Sequence, residues 1–196
     1  TVLSRGLGDV YKRQKLTNEI GTESYAAVCG YEPGFIKIEN MAVGSSLTLE
    51  NPPNKKYLGE SSHALINGMG GTINYQDKSW QGFEAEDLIA IIDLGSAKTI
   101  NAVEVRFLQS QVFWIFLPYH IQIEHSYDGK NFELIYEDFP NNDFSFEQKI
   151  ISYKTNLDPL QSRFIRVKGY NIDQCPDYHP GAGGSAWIFS DEIIIN

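Results

Sequence analysis

The chain has 196 residues, 42% hydrophobic, 21% charged and 13% aromatic, with a formal net charge of −9. That length suffices for one domain with a buried core plus a tail. The acidic balance repels phosphate backbones and anionic lipid, which argues against nucleic-acid and membrane-surface roles, and no apolar run approaches the roughly 20 residues that a spanning helix needs.

The first segment stands apart. Ser4-Arg-Gly-Leu-Gly-Asp-Val-Tyr-Lys-Arg-Gln14 resembles the translation of a transposase-type sequencing adapter. Residues 1–14 are therefore expected to be a translated artefact outside the fold, without packing contacts for Val10 or Tyr11. The chain is then expected to be a C-terminal fragment. The segment carries Arg5, Lys12 and Arg13 against Asp9; without this net +2 the remainder stands at −11. Residues 15–40 have weak periodicity and turn residues at Gly21, Gly30, Pro33 and Gly34, and read as a linker or the remnant of an upstream domain. Tyr25-Ala-Ala-Val-Cys29 has the look of a lipoprotein cleavage box, but no apolar stretch precedes it. Cys29 and Cys175 are too few for a disulfide framework; they form one bridge or none.

From residue 41 onward the pattern is that of strands. Residues 46–50 form one, closed by Asn51-Pro-Pro-Asn54, and residues 65–71 are a glycine-rich loop. Residues 88–94 are a near-continuous apolar run, as in a strand buried on both faces. Val103, Val105 and Phe107 then alternate with Glu104 and Arg106. In residues 119–126, Ile121 and Ile123 oppose His120, Gln122 and Glu124. Asp128-Gly129 signals a hairpin into residues 131–136. Residues 144–153, 163–170 and 187–195 complete the set. No helix exceeds two turns and no internal repeat occurs. The expected architecture is all-β, an antiparallel β-sandwich of jelly-roll type.

The order of these features resembles the discoidin family, the coagulation factor V/VIII type C domains, whose glycan-binding bacterial members form carbohydrate-binding module family 32. The resemblance rests on Ala64-Leu-Ile-Asn-Gly68 with Thr72 and Trp80, on Ile92-Asp-Leu-Gly95 with Ile100 and Val103, on Ser126-Tyr-Asp-Gly129 with Phe132, on Arg163-Phe-Ile-Arg-Val167, and on Asp191-Glu-Ile193. Trp80-Gln-Gly-Phe83, Phe107-Leu-Gln109, Trp114-Ile-Phe-Leu-Pro118 and His179-Pro-Gly-Ala-Gly183 further resemble the C-terminal module of Bacteroidetes family 20 exo-β-hexosaminidases. The resemblance implies a galactose-binding-domain-like sandwich over residues 41–196. It also implies a periplasmic, outer-surface or secreted bacterial protein with an upstream catalytic domain as its covalent partner.

Sugar recognition needs aromatic faces, against which pyranose C–H groups pack, beside polar groups that fix orientation. Tyr75, Trp80, Phe83 and Trp114 are the candidate platforms. Trp80 and Phe83 could instead be core plugs beneath their loop, and Trp187 reads as core. His179 lies in a Pro/Gly-dense loop, where it would either bond a sugar hydroxyl or brace the loop through its backbone. The resemblance further implies a structural calcium ion (Ca2+) held by Asn67, Thr72 and Glu192, the glycines between them letting carbonyls turn inward. Asn67 departs from the family's aspartate and removes one negative charge from that set.

No catalytic pattern appears. Adjacent Asp191 and Glu192 point to opposite faces of a strand and cannot flank one bond, and no nucleophile elbow or Cys–His pairing occurs. The leading expectation is a non-catalytic module that binds galactose- or N-acetylhexosamine-type glycan termini and concentrates a glycosidase on its substrate. The competing one is a spacer that packs on the catalytic domain and binds no sugar. A third, the membrane adhesion of animal type C domains, needs apolar spikes within a basic rim, and the acidic charge opposes it.

Overall fold

The fold is organised by a ribbon of two long antiparallel strands, β5 (Leu88–Gln109) and β8 (Lys149–Tyr170). The computed structural model describes residues 35–196. The expectations for residues 1–14, for most of 15–40 and for Cys29 lie outside the described residues. The remaining strands are β1 (Ile36–Lys37), β2 (Ser46–Leu49), β3 (Met69–Gly70), β4 (Gln81–Glu84), β6 (His120–Ser126), β7 (Glu133–Asp138) and β9 (Trp187–Ile195). Single 3-10 turns cover Ala64–Ile66 and Gln111–Phe113.

The ribbon pairs Leu88 with Gly169 through to Asp93 with Phe164, then shifts register between Asp93 and Lys98 and again between Ile100 and Ala102. Gly95, at φ +80°, sits in the first irregularity, where a β-carbon would be strained. Register shifts of this kind bend a strand. Ile92 and Ile165 from one half share a core with Val103, Val105 and Phe107 from the other, so the ribbon folds back on itself. The first half carries β2 on one side and β6 and β7 on the other; the second half carries β9 and then β4. Every pairing of this sheet is antiparallel. This is the expected β-sandwich, closed by two shared strands.

The sequence pattern splits each ribbon strand in two, because the bends are polar and interrupt the alternation. It also starts the second too early: residues 144–148 carry no strand. The apolar run 88–94 is not buried on both faces; Leu88, Ala90 and Ile92 are buried while Ile89 and Ile91 are half-buried. The module also begins before residue 41. β1 pairs with β3, and the Asn40 side chain donates to Glu192 Oε1 at 2.6 Å and to the Ile193 carbonyl at 2.8 Å. Its own oxygen accepts from the backbone of Ala42 and Ile195.

β9 is buried from Ile188 to Ile195. One face meets the core. The other lies beneath the 3-10 turn and the glycine loop that follows, whose Gly68 and Gly71 N–H groups donate to Glu192 and Asp191. The pairings also set where the loops collect. Leu88 and Gln109, the two ends of β5, lie at one end of the sandwich with the start of β6 (His120 against Tyr170) and of β9 (Trp187 against Glu84). Loops 110–119, 139–148 and 171–186 therefore gather there. Gln111 fastens them, donating to the Asp143 carbonyl at 3.0 Å and accepting from the Ser145 N–H at 3.0 Å.

Candidate functional site

The aromatic candidates divide into buried and presented rings. Trp80 is 1% exposed, and its indole N–H donates to the Thr72 carbonyl at 2.9 Å. The ring lies so close over Gly71 that a β-carbon there would come within 2.6 Å of its nitrogen. Phe83 is fully buried in the main core, on a β4 backbone paired with Ile188. Neither ring offers a face to a ligand. Trp80 and Phe83 are the plugs beneath the loop, and the expectation that they are platforms is corrected. An apolar ring on the short strand that closes the sandwich is worth more inside than out, about 1.5–3 kcal/mol for a phenylalanine.

His179 is also corrected, to the bracing role. It is 5% exposed, its Nε2 donates to the Gln111 carbonyl at 2.8 Å and its Nδ1 accepts from the Gly181 N–H at 3.0 Å. Both ring nitrogens are used, as in the neutral Nε2–H tautomer. None is left for a sugar hydroxyl. Trp114 is 40% exposed and adopts the left-handed backbone conformation, φ 65°. One face of its indole rests on Gly181 and Gly184, where an added β-carbon would approach within 2.7 and 2.6 Å. The glycines of this loop are thus a floor for Trp114, and the remainder of the ring faces solvent.

Tyr75 belongs to an aromatic cleft that the sequence reading only half recognised. Its ring centroid is 4.7 Å from Phe113, which is 46% exposed, and 6.0 Å from Tyr57. Tyr57 in turn meets Trp187 edge-on at 5.4 Å and Phe189 at 4.8 Å. These rings with Lys56 and Ile115 line a depression of about 130 Å³. A second, of about 370 Å³, lies across the Tyr75–Phe113 wall and is lined by Ile73, Asn74, Gln76 and Gln148. Tyr75 and Phe113 thus present ring surface to both depressions, with amides on one side and an ammonium on the other. Burial, and then the neighbouring Tyr75 phenol, raise the Tyr57 hydroxyl above its usual range. Tyr57 lies outside every motif and the sequence does not mark it, whereas Phe113 directly precedes the Trp114 motif, in the 111–114 segment that the sequence places on the ligand surface.

The side chains of the three residues that the resemblance assigns to calcium are each committed to hydrogen bonds within the fold. Asn67 Oδ1 accepts from the Met69 N–H at 2.9 Å, and the Thr72 hydroxyl is committed to Asp77. Glu192 accepts from the Gly68 N–H at 2.8 Å and from Asn40 at 2.6 Å. Burial pushes its carboxyl up, against the pull of Asn40 and of the Gly68, Asn67 and Met69 backbone groups. The loop thus turns N–H donors toward this carboxylate, whereas calcium asks for about six to eight oxygens. Glu192 Oε2 and the neighbouring Asp191 Oδ1 remain without a hydrogen-bond partner. Among the described residues no cluster of three His, Cys, Asp or Glu side chains is arranged to hold a metal. The residues present do not make a calcium shell. Asp191, held by the Gly71 N–H of the same loop, pairs with Arg106 at 3.2 Å.

A larger groove of about 500 Å³ lies elsewhere, between Leu47 and Leu49 of β2 and the segment Leu58 to Ser62, with Pro52 and Pro53. Its lining joins leucine and proline side chains to Glu60, Ser61, Ser62 and Gln81 and contains no aromatic ring, so it lacks the surface on which a sugar stacks.

No family model and no curated protein matches the chain. Solved structures do. A family 32 carbohydrate-binding module from a family 31 glycoside hydrolase of Clostridium perfringens is 14% identical, with 80% of this chain and 96% of that one covered at a TM-score of 0.51. A fucose-binding module of Streptococcus pneumoniae is 12% identical, covering 85% and 98% at 0.50. A chitosan-binding module of a chitosanase/glucanase from Paenibacillus sp. IK-5 is 11% identical, covering 81% and 98% at 0.50. The chain has the discoidin-like β-sandwich fold of these carbohydrate-binding modules.

Proposed function

We propose that this chain is a non-catalytic carbohydrate-binding module, a C-terminal piece of a secreted or periplasmic glycoside hydrolase, and that it binds sugar at the cleft of Tyr57, Tyr75, Phe113 and Trp187. The observation that carries the reading is the presented Tyr75–Phe113 wall with polar side chains on both sides, on a fold that carbohydrate-binding modules use. Trp114 extends the aromatic surface at the same end. The parent is best read as an exo-β-N-acetylhexosaminidase, on the motifs from Trp80 to Gly183, and the ligand as a galactose- or N-acetylhexosamine-type terminus. Such a module raises the effective concentration of its enzyme on the glycan. A shallow cleft buries little area, so binding is weak and recognises a single terminal sugar.

The spacer reading is favoured by one feature, the aliphatic groove at Leu47, Leu49 and Leu58, which suits contact with another protein domain better than contact with a sugar. The two readings part on one experiment. The module is screened on a broad glycan array and its hits are titrated by calorimetry. Binding that weakens in Tyr75→Ala supports the sugar-binding role; a module that binds nothing leaves the spacer.

A further inference from the structure

Lys56 is the only charged side chain lining either depression beside the Tyr75–Phe113 wall. The rest of the lining is aromatic, aliphatic or amide. This is notable in a chain whose net charge is −9, where carboxylates outnumber cations and a random surface would more often present an acid. Six of the cations are engaged by carboxylates: Arg106, Lys149, Lys154, Arg163, Arg166 and Lys168. Lys56 forms no ion pair among the described residues. Its backbone N–H is tied to Asn54 Oδ1 at 3.0 Å, which fixes the base of the side chain beside the cleft and leaves the ammonium unengaged. The Tyr57 phenol lines the same depression, with the Tyr75 phenol beside it. Three hydrogen-bond donors therefore border an aromatic slot from which acidic groups are kept away.

Resting on the sugar-binding reading of this cleft, we infer that the terminal sugar it takes carries an anionic substituent, a carboxylate or a sulfate, which Lys56 receives while the ring packs on Tyr75 and Phe113. A neutral hexose would use the rings and the amides and leave the ammonium idle. An acidic derivative uses both, and a charge-assisted hydrogen bond is roughly twice as strong as a neutral one. The acidity of the protein as a whole then acts as a filter: polyanions are repelled at long range, and a single anionic group is accepted only where the local lining is free of acid.

The test uses three matched ligands, a β-galactoside, its 6-sulfate and the corresponding galacturonide, titrated against the full chain and against Lys56→Gln at low and high salt. The expected result is that at least one acidic ligand binds about tenfold tighter than the neutral one, with the advantage lost in Lys56→Gln and reduced by salt. Which acid wins separates sulfate from carboxylate. Lys56 is exposed and makes no ion pair among the described residues, so the variant should fold. Equal or tighter binding of the neutral sugar overturns the inference and leaves the sugar-binding reading standing. An acidic preference that survives in Lys56→Gln removes the assignment to this residue. A chain that binds none of the three, and nothing on an array, takes both away.

Discussion

Tyr75 and Phe113 meet with ring centroids 4.7 Å apart and planes tilted by 42°. Tyr75 comes from the loop that follows the glycine turn, Phe113 from the 3-10 turn at the end of β5, and the contact joins the two loops into one wall. Removing either ring should cut glycan affinity about three- to tenfold, the size of an aromatic contact beyond its buried area. Phe113→Ala is the cleaner variant because its ring is half exposed and its melting temperature should hardly move. Trp80→Ala should behave in the opposite way, costing about 3–5 kcal/mol of stability as a large buried ring is deleted. Chemical denaturation alongside calorimetry separates the two. A Phe113→Ala variant that binds as the parent does would place the site elsewhere.

His179 acts on Trp114 through the loop. The imidazole joins the Gln111 carbonyl to the Gly181 N–H, and Gly181 is one of the two residues under the indole. His179→Ala leaves the Gln111 carbonyl with the Trp114 N–H alone and the part-buried Gly181 N–H without a partner, which should cost about 1–3 kcal/mol. Gly181→Val should disturb Trp114 directly, since its β-carbon would start 2.7 Å from the ring. Tryptophan fluorescence should shift in both variants as the indole becomes more solvated. An unshifted spectrum in Gly181→Val would contradict the packing of Trp114 on this loop.

Glu192 is held by N–H donors, so calcium has no shell to enter. Melting curves in millimolar calcium and in a chelator should coincide, because a ligand that does not bind the folded state cannot stabilise it. Asn40→Ala should lower stability by about 1–3 kcal/mol, since it strips donors from a buried carboxylate and a carbonyl and an acceptor from two backbone N–H groups. A rise in melting temperature with calcium would mean that the loop rearranges to present carbonyl oxygens.

Arg106 and Asp191 form the buried ion pair of the second half of the ribbon, 3.2 Å apart beneath the glycine loop. Breaking such a pair from one side is costly because it strands the other charge. Arg106→Ala should destabilise by about 3–5 kcal/mol. Arg106→Ala combined with Asp191→Leu should recover much of that loss, as both charges are then gone. A double variant no more stable than the single one would show that the packing of the Arg106 side chain, whose guanidinium lies against Gly70, matters more than its charge.

Much of the fold was legible because alternation in residues such as Val103, Val105 and Phe107 reports a face directly. The bends of β5 and β8 were not, since a strand that changes sheets through a polar corner reads as two strands. The site was less legible. A tryptophan or histidine in a Gly/Pro loop is compatible with display or with burial, and the difference lies in whether glycines make room beneath it. Gly71 under Trp80 and Gly181 under Trp114 look alike in sequence; one ring is then covered by further core and the other is left open. Tyr57 joins the cleft through tertiary packing alone, with no local motif to mark it.

Acid should destabilise the module through the ion pairs of Glu124 and Asp93. Burial alone would raise the Glu124 carboxyl, but hydrogen bonds from Arg166 and Lys168, and the charges behind them, outweigh it and hold it below its usual range. The Arg166 guanidinium also stacks 3.9 Å over the Phe132 ring, which fixes it in place. Asp93 is lowered by the Arg163 guanidinium, at 2.7 and 2.8 Å in a two-point contact, against a smaller penalty from burial. A carboxylate lowered in the folded state contributes stability above its unfolded pKa and loses it as pH falls through the folded one. The contribution of these two carboxylates to stability, read by urea titration, should therefore be constant near neutrality and fall from the ordinary carboxylate range downward. Asp191 works in the other sense: burial pushes it up to about 7 despite Arg106, so its contribution is fullest below the ordinary range and is lost as pH rises through about 7. Glu124→Gln should cost about 1.5–3 kcal/mol at neutral pH, the range for hydrogen bonds to charged groups, and flatten the acid limb. An acid limb of unchanged steepness in that variant would mean that Glu124 does not set it.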